Sequence, residues 1–384
     1  MPQRSLTLQS SRNRFSMTLN PKMYVASGIP QILLRRWQLR RVTLVFAVVF
    51  ALESALQSWA QATPPQLQSL IQRGQAALEA GQFLQAVGNF EQARQLAPEN
   101  LEVNRGLLLS YLQAGKLAEA LAIGESAVSR WPQDADLQHW LGLAYFKTGQ
   151  NDRALDLLRG AEKTNGKGFG VHFDIALVLL AQEQYAPAAE ELQSALKFDP
   201  SDALAHVLLG RAYQNTNRTV QAVTEFQTAL RLDPKVNLGH YHLAFAYASL
   251  GKNEEASAEY RKQLAATPDN PQVLYQFGHC LLEIGDSKTA AVHLQKATEI
   301  TPQNADAFYD LGKALLLEGN IDPAIVALQR SIELKPTDPS PHYQLARALD
   351  KAGKTDEAKL ERQRFAELKK SQPQTGGMAT GRVQ

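Results

Sequence analysis

Residues 203–236 read ALAHVLLGRAYQNTNRTVQAVTEFQTALRLDPKV, and this stretch decides the fold because its skeleton recurs every 34 residues along the chain. The recurrence is marked by three small or helix-breaking residue types, each at its own phase of the period. The alanines are Ala86, Ala120, Ala154, Ala188, Ala222, Ala256, Ala290, Ala324 and Ala358; the prolines are Pro98, Pro132, Pro200, Pro234, Pro268, Pro302 and Pro336; the glycines are Gly81, Gly115, Gly149, Gly251, Gly285, Gly319 and Gly353. A fixed period of this size indicates a stack of structural repeats.

The spacing within one repeat predicts two helices. Leu209, Gly210 and Tyr213 share one helical face, and Ala222 and Phe226 share a face of a second helix. A glycine or asparagine between the helices tolerates the left-handed conformation that ends a helix. Proline follows the second helix because it cannot continue one. Each repeat is therefore helix, turn, helix, turn.

Small residues predict where the two helices approach each other closely. The position of Gly210, directly after Leu209, is occupied by glycine or alanine in eight of nine repeats. The recurring alanine is expected to face it from the second helix. Leu108 is the one bulky occupant of the first position. The second repeat should therefore pack differently from the others.

The pattern resembles the tetratricopeptide repeat, whose 34-residue motif carries Trp, Leu, Gly, Tyr, Ala, Phe, Ala and Pro at fixed positions. The resemblance covers residues 67–372, with units starting at 67, 101, 135, 169, 203, 237, 271, 305 and 339. It implies an all-α fold, an α-solenoid in which helix-turn-helix units stack into a right-handed superhelix. The Trp position departs from the motif, since it is never Trp and is a histidine in four units: His172, His206, His240 and His342.

One joint between repeats breaks the pattern. Residues 163–170 contain three glycines and no proline. Two interpretations stay open here: a slightly longer and looser turn, or a hinge that changes the pitch of the stack.

Residues 1–62 have the parts of a secretory signal. Residues 1–41 are a basic n-region, 42–52 are an apolar core of eleven residues, and Ala60 and Ala62 form a small-x-small site with cleavage predicted after Ala62. The alternative is an uncleaved N-terminal membrane anchor facing the periplasm, although the core is short for a bilayer. The starting methionine, Met1, Met17 or Met23, stays open.

The rest of the chain is predicted to be exported to the periplasm or the extracellular space. It comprises a linker over 63–66, the repeats, and a disordered tail over 373–384. The chain has 384 residues and a net charge of +2, but the leader holds eight basic residues and one acid. The remaining 32 basic and 37 acidic residues give −5, so no positive field favours nucleic acid as a partner.

No catalytic, metal or cofactor motif is present, so we expect a protein that is not an enzyme and needs no cofactor. Histidines that recur every 34 residues lie on successive units, about 10 Å or more apart, and cannot share one metal ion with bonds of about 2 Å. Cys280, the only cysteine, occupies a position that favours a small buried residue, so we interpret it as a core thiol.

The resemblance also implies a binding surface. In this family the first helices line the inner, concave face, and the fifth and ninth residues of each unit point into it. The residues expected to contact a ligand are Phe173, Tyr241, Tyr275, Tyr309 and Tyr343 at the fifth position, and Arg211, His279, Lys313 and Arg347 at the ninth. Tyrosine and arginine are common anchors at interfaces. A tyrosine that only shields the inner helix is the alternative.

These observations predict an exported scaffold that binds a protein or peptide in its concave groove. The alternative is a regulatory or substrate-presenting subunit of an enzyme or envelope assembly complex, with catalysis on another chain. Neither the partner nor the oligomeric state follows from the residues.

The recurring alanine makes a prediction about stability. Replacing Ala256→Leu should overpack one helix pair and lower the free energy of unfolding by about 1–3 kcal/mol. Because each repeat touches only its neighbours, the damage should stay local. Thermal melting followed by hydrogen exchange checks this: protection should fall around residues 237–304 and persist elsewhere. A melt that shifts while keeping the full cooperativity of the parent would contradict local damage.

Overall fold

The computed structural model describes residues 65–164 and 168–371, and the regular secondary structure in those residues consists of 18 α-helices. The all-α fold of stacked helical hairpins is therefore confirmed. The described chain divides into two compact units, residues 65–216 and 217–371. The predicted signal peptide and the predicted tail lie outside the described residues.

The first unit contains helices α1 to α9. They are α1 (Pro65–Glu79), α2 (Phe83–Leu96), α3 (Leu101–Ala114), α4 (Leu117–Arg130), α5 (Ala135–Lys147), α6 (Asn151–Lys163), α7 (Phe169–Ala181), α8 (Tyr185–Phe198) and α9 (Ala203–Asn215). Each helix packs against the next along the chain, and α1, α3, α5 and α7 also contact one another in succession. The odd-numbered helices, called the first helices below, thus form one layer. The even-numbered, second helices form the other.

The second unit repeats this arrangement with helices α10 to α18. They are α10 (Thr219–Leu232), α11 (Gly239–Ser249), α12 (Asn253–Ala266), α13 (Pro271–Glu283), α14 (Ser287–Ile300), α15 (Ala305–Leu317), α16 (Ile321–Leu334), α17 (Pro339–Lys351) and α18 (Thr355–Ser371). Here α11, α13, α15 and α17 contact one another in succession. No helix among residues 65–164 and 168–371 combines the length and the apolar character needed to cross a membrane.

Helix starts follow from a capping residue that recurs every 34 positions. In six units the side chain of an Asn or Asp accepts a hydrogen bond from the backbone N–H at the start of a first helix. These residues are Asn100, Asp134, Asp202, Asn270, Asn304 and Asp338. Val236 occupies this position before α11 and has no side-chain acceptor, which explains why α11 begins only at Gly239, after Leu238 in a left-handed conformation (φ 56°).

The start of α1 differs from the predicted boundary. Pro65 and Gln66 belong to this helix, although the sequence placed them in a linker. Proline suits the first position of a helix because its φ is already helical and its missing N–H has no partner to lose there.

The turn after each first helix requires a left-handed residue. All seven glycines at that position have φ between 72° and 84°. Glu183 and Asn217, which replace glycine in two units, adopt the same conformation with φ of 59° and 62°. Asparagine tolerates this region, whereas glutamate enters it at a steric cost. The repeat therefore imposes its turn even where the residue type opposes it.

The irregular joint between the third and fourth repeats lies within one compact unit. Helices α6 and α7 on its two sides pack against each other. The Thr164 hydroxyl, at the start of the joint, contacts Gln138 of α5 at 3.3 Å. Residues 165–167 lie outside the described residues.

Close contact between the two helices of a hairpin explains the recurring small residues. All nine alanines of the series are 0% exposed. A Cβ added to Gly278 would lie 2.5 Å from Leu294, and one added to Gly312 would lie 2.5 Å from Leu328. A side chain at either glycine would therefore require the facing leucine or the helix to shift.

The second repeat reverses large and small residues, as its bulky Leu108 predicts. Leu108 is completely buried on the first helix. Opposite it stands Gly124, whose added Cβ would lie 3.3 Å from Leu108 and 2.7 Å from Leu141. The same position of the second helix is Phe90 in the preceding repeat and Leu158 in the following one. The space between the two helices is therefore filled in each repeat, but in the second repeat the large side chain comes from the first helix.

Cys280 and Tyr260 are buried residues of the second unit whose side chains carry a polar atom. Burial raises the pKa of the Cys280 thiol to about 11, and the thiol donates a hydrogen bond to the Asn253 carbonyl at 3.2 Å. Cys280 is 2% exposed, so its burial as a core thiol is confirmed. Tyr260 is 0% exposed, and its hydroxyl has no hydrogen-bond partner among the described residues. Phe226 occupies the equivalent position one repeat earlier.

Replacing Tyr260→Phe should therefore stabilise the protein. An unsatisfied buried hydroxyl costs about 1–3 kcal/mol, and phenylalanine keeps the packing while removing it. We expect the free energy of unfolding to rise by about 1 kcal/mol, measured by urea denaturation. Tyr247→Phe is the matched control, because the Tyr247 hydroxyl accepts a hydrogen bond from Gln227 at 2.8 Å and its loss should not stabilise. A destabilised Tyr260→Phe variant would show that a buried water satisfies the hydroxyl.

Candidate interaction surface on the first helices

Three tyrosines occupy the same position on consecutive first helices of the second unit. Tyr275 lies on α13, Tyr309 on α15 and Tyr343 on α17. Tyr275 and Tyr309 are half-buried, and Tyr343 is 47% exposed. Burial, reinforced by the nearby Asp310 carboxylate, raises the pKa of Tyr275. The Tyr275 hydroxyl is therefore a neutral hydrogen-bonding group at neutral pH.

Two of the predicted contact residues, Phe173 and Tyr241, are buried and therefore not accessible to a ligand. Phe173 is 7% exposed and stacks on Phe169, with ring centroids 5.2 Å apart. Tyr241 is 2% exposed, and its ring packs against Tyr260 at 6.1 Å. Aromatic neighbours cover both rings, so neither presents a contact surface. The accessible part of the predicted tyrosine file is limited to α13, α15 and α17.

A histidine–aspartate pair joins two of these helices. The His279 Nδ1 lies 2.9 Å from the Asp310 Oδ2, and the Asp310 carboxylate is buried. The hydrogen bond to Asp310 raises the pKa of His279, although burial opposes the effect. The carboxylate of Asp310 is buried on α15, and the partly exposed imidazole of His279 on α13 balances its negative charge. His279 therefore joins the two helices while its side chain stays partly exposed.

The remaining predicted cations differ in their partners. The Lys313 Nζ lies 3.6 Å from a Glu283 carboxylate oxygen, so its charge is partly balanced. The exposed Arg347 donates a hydrogen bond to the neutral Gln344 side chain at 2.9 Å. Arg211 lies on α9 in the other unit. Burial raises the pKa of the nearby Tyr185, and the positive charge of Arg211 partly opposes this increase.

An open cavity of about 220 Å³ lies beside the last tyrosine. Its walls are formed by Tyr309, Ser340, Tyr343 and Phe365. The rings of Tyr343 and Phe365 lie 5.5 Å apart, and the Lys369 ammonium lies 5.6 Å from the centroid of Phe365. The surface thus ends in an aromatic cradle with a cation at its edge.

The sequence prediction missed Phe365, although a signal was present. Phe365 lies at the position where most repeats carry a late alanine, such as Ala229 or Ala297. In those repeats the alanine is buried against its neighbours. A large ring at that position in the last repeat therefore indicates a surface role.

Three of the four histidines at the Trp position, His172, His240 and His342, pair with a glutamate nineteen residues later. The Nδ1 to carboxylate distance is 2.7 Å for His172 with Glu191, and 2.5 Å for both His240 with Glu259 and His342 with Glu361. Each pair connects the first and second helices of one repeat. In the sequence, each of the four histidines is followed by a glutamate nineteen residues later. This spacing is a signal from which the pairs could have been predicted.

Family comparisons agree with this architecture. A tetratricopeptide-repeat model matches residues 71–135, 173–237 and 207–271. A model of the middle TPR-like domain of cilia and flagella-associated protein 70 matches residues 240–370, and one of anaphase-promoting complex, cyclosome, subunit 3 matches residues 113–195. The chain belongs to the tetratricopeptide-repeat proteins. Repeats of this family generally build non-catalytic scaffolds for protein–protein interaction.

Solved structures show the same fold. The APC/C hetero-tetramer Cut9–Hcn1 matches this tetratricopeptide-repeat protein with a TM-score of 0.51 and 16% identity, over 81% of this chain and 59% of the other. A structure from the functional characterization of Pseudomonas aeruginosa pilF gives a TM-score of 0.50 and 20% identity, over 56% of this chain and 97% of the other. No curated protein sequence matches the chain.

The His279–Asp310 pair predicts a pH dependence of stability. Because the pKa of His279 is raised in the folded state, the charged pair contributes fully below about pH 6.5 and is lost as the pH rises through the folded pKa. The stability difference between the parent and Asp310→Asn should therefore be larger at pH 6 than at pH 8, measured by urea denaturation.

His293 provides an internal control for this prediction. Burial lowers its pKa, and Lys296 and Arg261 lower it further. In an NMR titration, His293 should therefore lose its proton at a lower pH than His279. Equal stability differences at both pH values, or the reverse titration order, would contradict the assignment.

Proposed function

We propose that this tetratricopeptide-repeat protein is a non-catalytic scaffold that binds an extended segment of a protein partner along α13, α15 and α17. The observation that carries the proposal is the accessible tyrosine file Tyr275, Tyr309 and Tyr343, which ends at the aromatic cradle. The absence of catalytic motifs from the sequence supports a binding role over an enzymatic one.

Tyrosine suits such a surface physically. A tyrosine side chain offers a large contact area, a hydroxyl and only two rotatable bonds, so little entropy is lost when it binds. Tyr275 and Tyr309 are held half-buried by packing, so much of that entropy is already lost in the free protein. Tyr343 is restrained on one side by Phe365. The surface is therefore largely pre-organised for a ligand.

Geometry sets the length of the segment. Neighbouring packed helices lie about 8–10 Å apart, and an extended chain advances about 3.3 Å per residue. Successive tyrosines therefore meet every third residue of the ligand, and the three tyrosines together contact a segment of about seven to nine residues. An extended peptide gives regularly spaced side chains for such a file, whereas a helix would advance only about 1.5 Å per residue.

Charge favours an acidic group at one end of this segment. Lys313 is balanced by Glu283, and His279 is balanced by Asp310. Arg347 is exposed and hydrogen-bonds to a neutral amide, and Lys369 lies at the edge of the cradle. A carboxylate of the partner near α17 would therefore gain a charge-assisted hydrogen bond without displacing an existing ion pair.

We also propose that the protein acts after export, either free in the periplasm or outside the cell or held by an uncleaved N-terminal anchor. The support is the basic flank, short apolar core and small-x-small site of residues 1–62. N-terminal sequencing of the protein from its native envelope separates the alternatives. Cleavage gives a chain that starts at Thr63, whereas an anchored chain keeps the leader and sediments with membranes.

The binding proposal predicts the effect of removing the exposed tyrosines. The Tyr309→Ala, Tyr343→Ala double variant should bind the partner at least about tenfold more weakly, a loss of about 1.4 kcal/mol or more. The partner is first captured by affinity purification from the native envelope, and binding to the purified pair is then measured by calorimetry. Circular dichroism melts check that the variant stays folded.

The matched control lies on the second helices. Val292 and Val326 are each 65% exposed and also recur 34 residues apart. The Val292→Ala, Val326→Ala double variant should bind as the parent does. Weakened binding in the control together with normal binding in the tyrosine variant would move the site to the second helices. Capture of one stoichiometric enzyme would favour the subunit role, and capture of several envelope proteins would favour a general scaffold.

A further inference from the structure

A compact cluster of metal-ligating side chains lies where α6, α7 and α8 meet in the first unit, away from the tyrosine file. It consists of Glu162 on α6, His172 on α7 and Glu191 on α8. One ligand atom from each residue lies within 4.8 Å of the other two. The side chains of His172 and Glu191 are each 12% exposed, so the cluster is largely shielded from solvent.

The distances from the His172 ring to the two carboxylates are close to those of a metal site. The His172 Nδ1 lies 2.7 Å from the Glu191 Oε2 and 3.9 Å from the Glu162 Oε1. Ligands of a tetrahedral zinc ion, with bonds of about 2.0–2.2 Å, lie about 3.3 Å from one another. The observed separations bracket this value, so side-chain movements of about 1 Å would complete the geometry.

Arg159 orients both carboxylates from behind. Its Nη1 donates to the Glu162 Oε2 at 3.0 Å and to the Glu191 Oε1 at 2.5 Å. These are the oxygens that do not face His172. Each carboxylate thus has one oxygen fixed by the guanidinium and the other directed at the imidazole. Such outer hydrogen bonds are how proteins orient the ligands of a metal ion.

The His172 ring is also held in place. It stacks on Phe198, with ring centroids 5.9 Å apart and an angle of 19° between the planes. Its Nδ1 therefore points at the carboxylates in a defined orientation.

The repeat itself shows that this cluster is a local departure. Three other repeats carry the same histidine, with a glutamate nineteen residues later, but they lack the third ligand. At the position of Glu162 they have Leu196, Leu230 and Ile332, and at the position of Arg159 they have Gln193, Gln227 and Gln329. His240 and His342 each pair with one glutamate, and their helices pack without these two residues. Glu162 and Arg159 are therefore additions that packing does not require.

We propose that Glu162, His172 and Glu191 bind a divalent transition-metal ion, with Zn²⁺ as the best fit. The ion is ligated by the His172 Nδ1, by the Glu162 Oε1 and by the Glu191 Oε2, and a water molecule completes the tetrahedron. One imidazole with two carboxylates is a ligand set that zinc accepts, and the open fourth position is typical of a site with three protein ligands.

The site would fasten two repeats together. Glu162 belongs to the second helix of the third repeat, and His172 and Glu191 belong to the fourth. The joint between these repeats is the irregular one, with three glycines and no proline. A bound ion adds a strong contact at a junction whose connecting segment lacks the recurring proline.

Zinc binding to the purified full chain, prepared without a polyhistidine tag, tests the proposal. Calorimetry should show one equivalent of Zn²⁺ bound, and Zn²⁺ should raise the melting temperature. The Glu162→Gln variant keeps the shape of the side chain and should lower the affinity by at least about tenfold. Co²⁺ should give the visible absorption of a tetrahedral site in the parent and lose it in Glu162→Gln.

The equivalent pair two repeats further along, His240 with Glu259, is the matched control. Glu259→Gln removes the carboxylate beside His240 where no third ligand exists, and it should leave zinc binding unchanged. Circular dichroism confirms that each variant is folded. If the parent binds no Zn²⁺, or if Glu162→Gln and the parent bind it equally, the cluster is an ion-pair network with Arg159 and the proposal is overturned.

Discussion

Close contact between the two helices of each hairpin is the constraint on which the rest of the structure depends. The nine alanines of the second helices are completely buried, and a methyl group added to Gly278 or Gly312 would lie within 2.5 Å of a leucine on the second helix. This contact fixes the distance and the angle of the helices, and the caps and left-handed turns then set their lengths. Because each helix packs chiefly against its neighbours in sequence, the same contact can be repeated along the chain.

The constraint is on volume more than on residue identity. In the second repeat, Leu108 and Gly124 exchange the large and small partners and keep the pair buried. At the turns the constraint is on backbone conformation, so Glu183 adopts the left-handed region in place of glycine. Both departures are accommodated within one repeat. Positions outside the hairpin contact are consequently free to vary, and they carry the tyrosines, the cations and the histidine–glutamate pairs.

The accessible surface of the first helices depends on how each aromatic residue is covered. Tyr241 and Tyr343 occupy the same position in their repeats, yet Tyr241 is buried against Tyr260 and Tyr343 is exposed beside Phe365. The difference arises from neighbours on other helices. The histidines show a similar local difference: beside His172 lies a second glutamate, Glu162, and Arg159 donates to both glutamates. In both cases a repeated position acquires a local property from residues that do not repeat.

The amino-acid sequence alone determined the period, the helix-turn-helix unit, the family and the buried alanine positions, because those features depend on spacing and on short-range packing that every repeat shares. The special packing of the second repeat also followed, from Leu108 alone. Only the tertiary structure decided that Phe173 and Tyr241 are covered, that Phe365 joins Tyr309 and Tyr343, and that Glu162 meets His172 and Glu191. These contacts join side chains from different helices, and their burial depends on neighbours that no spacing rule specifies.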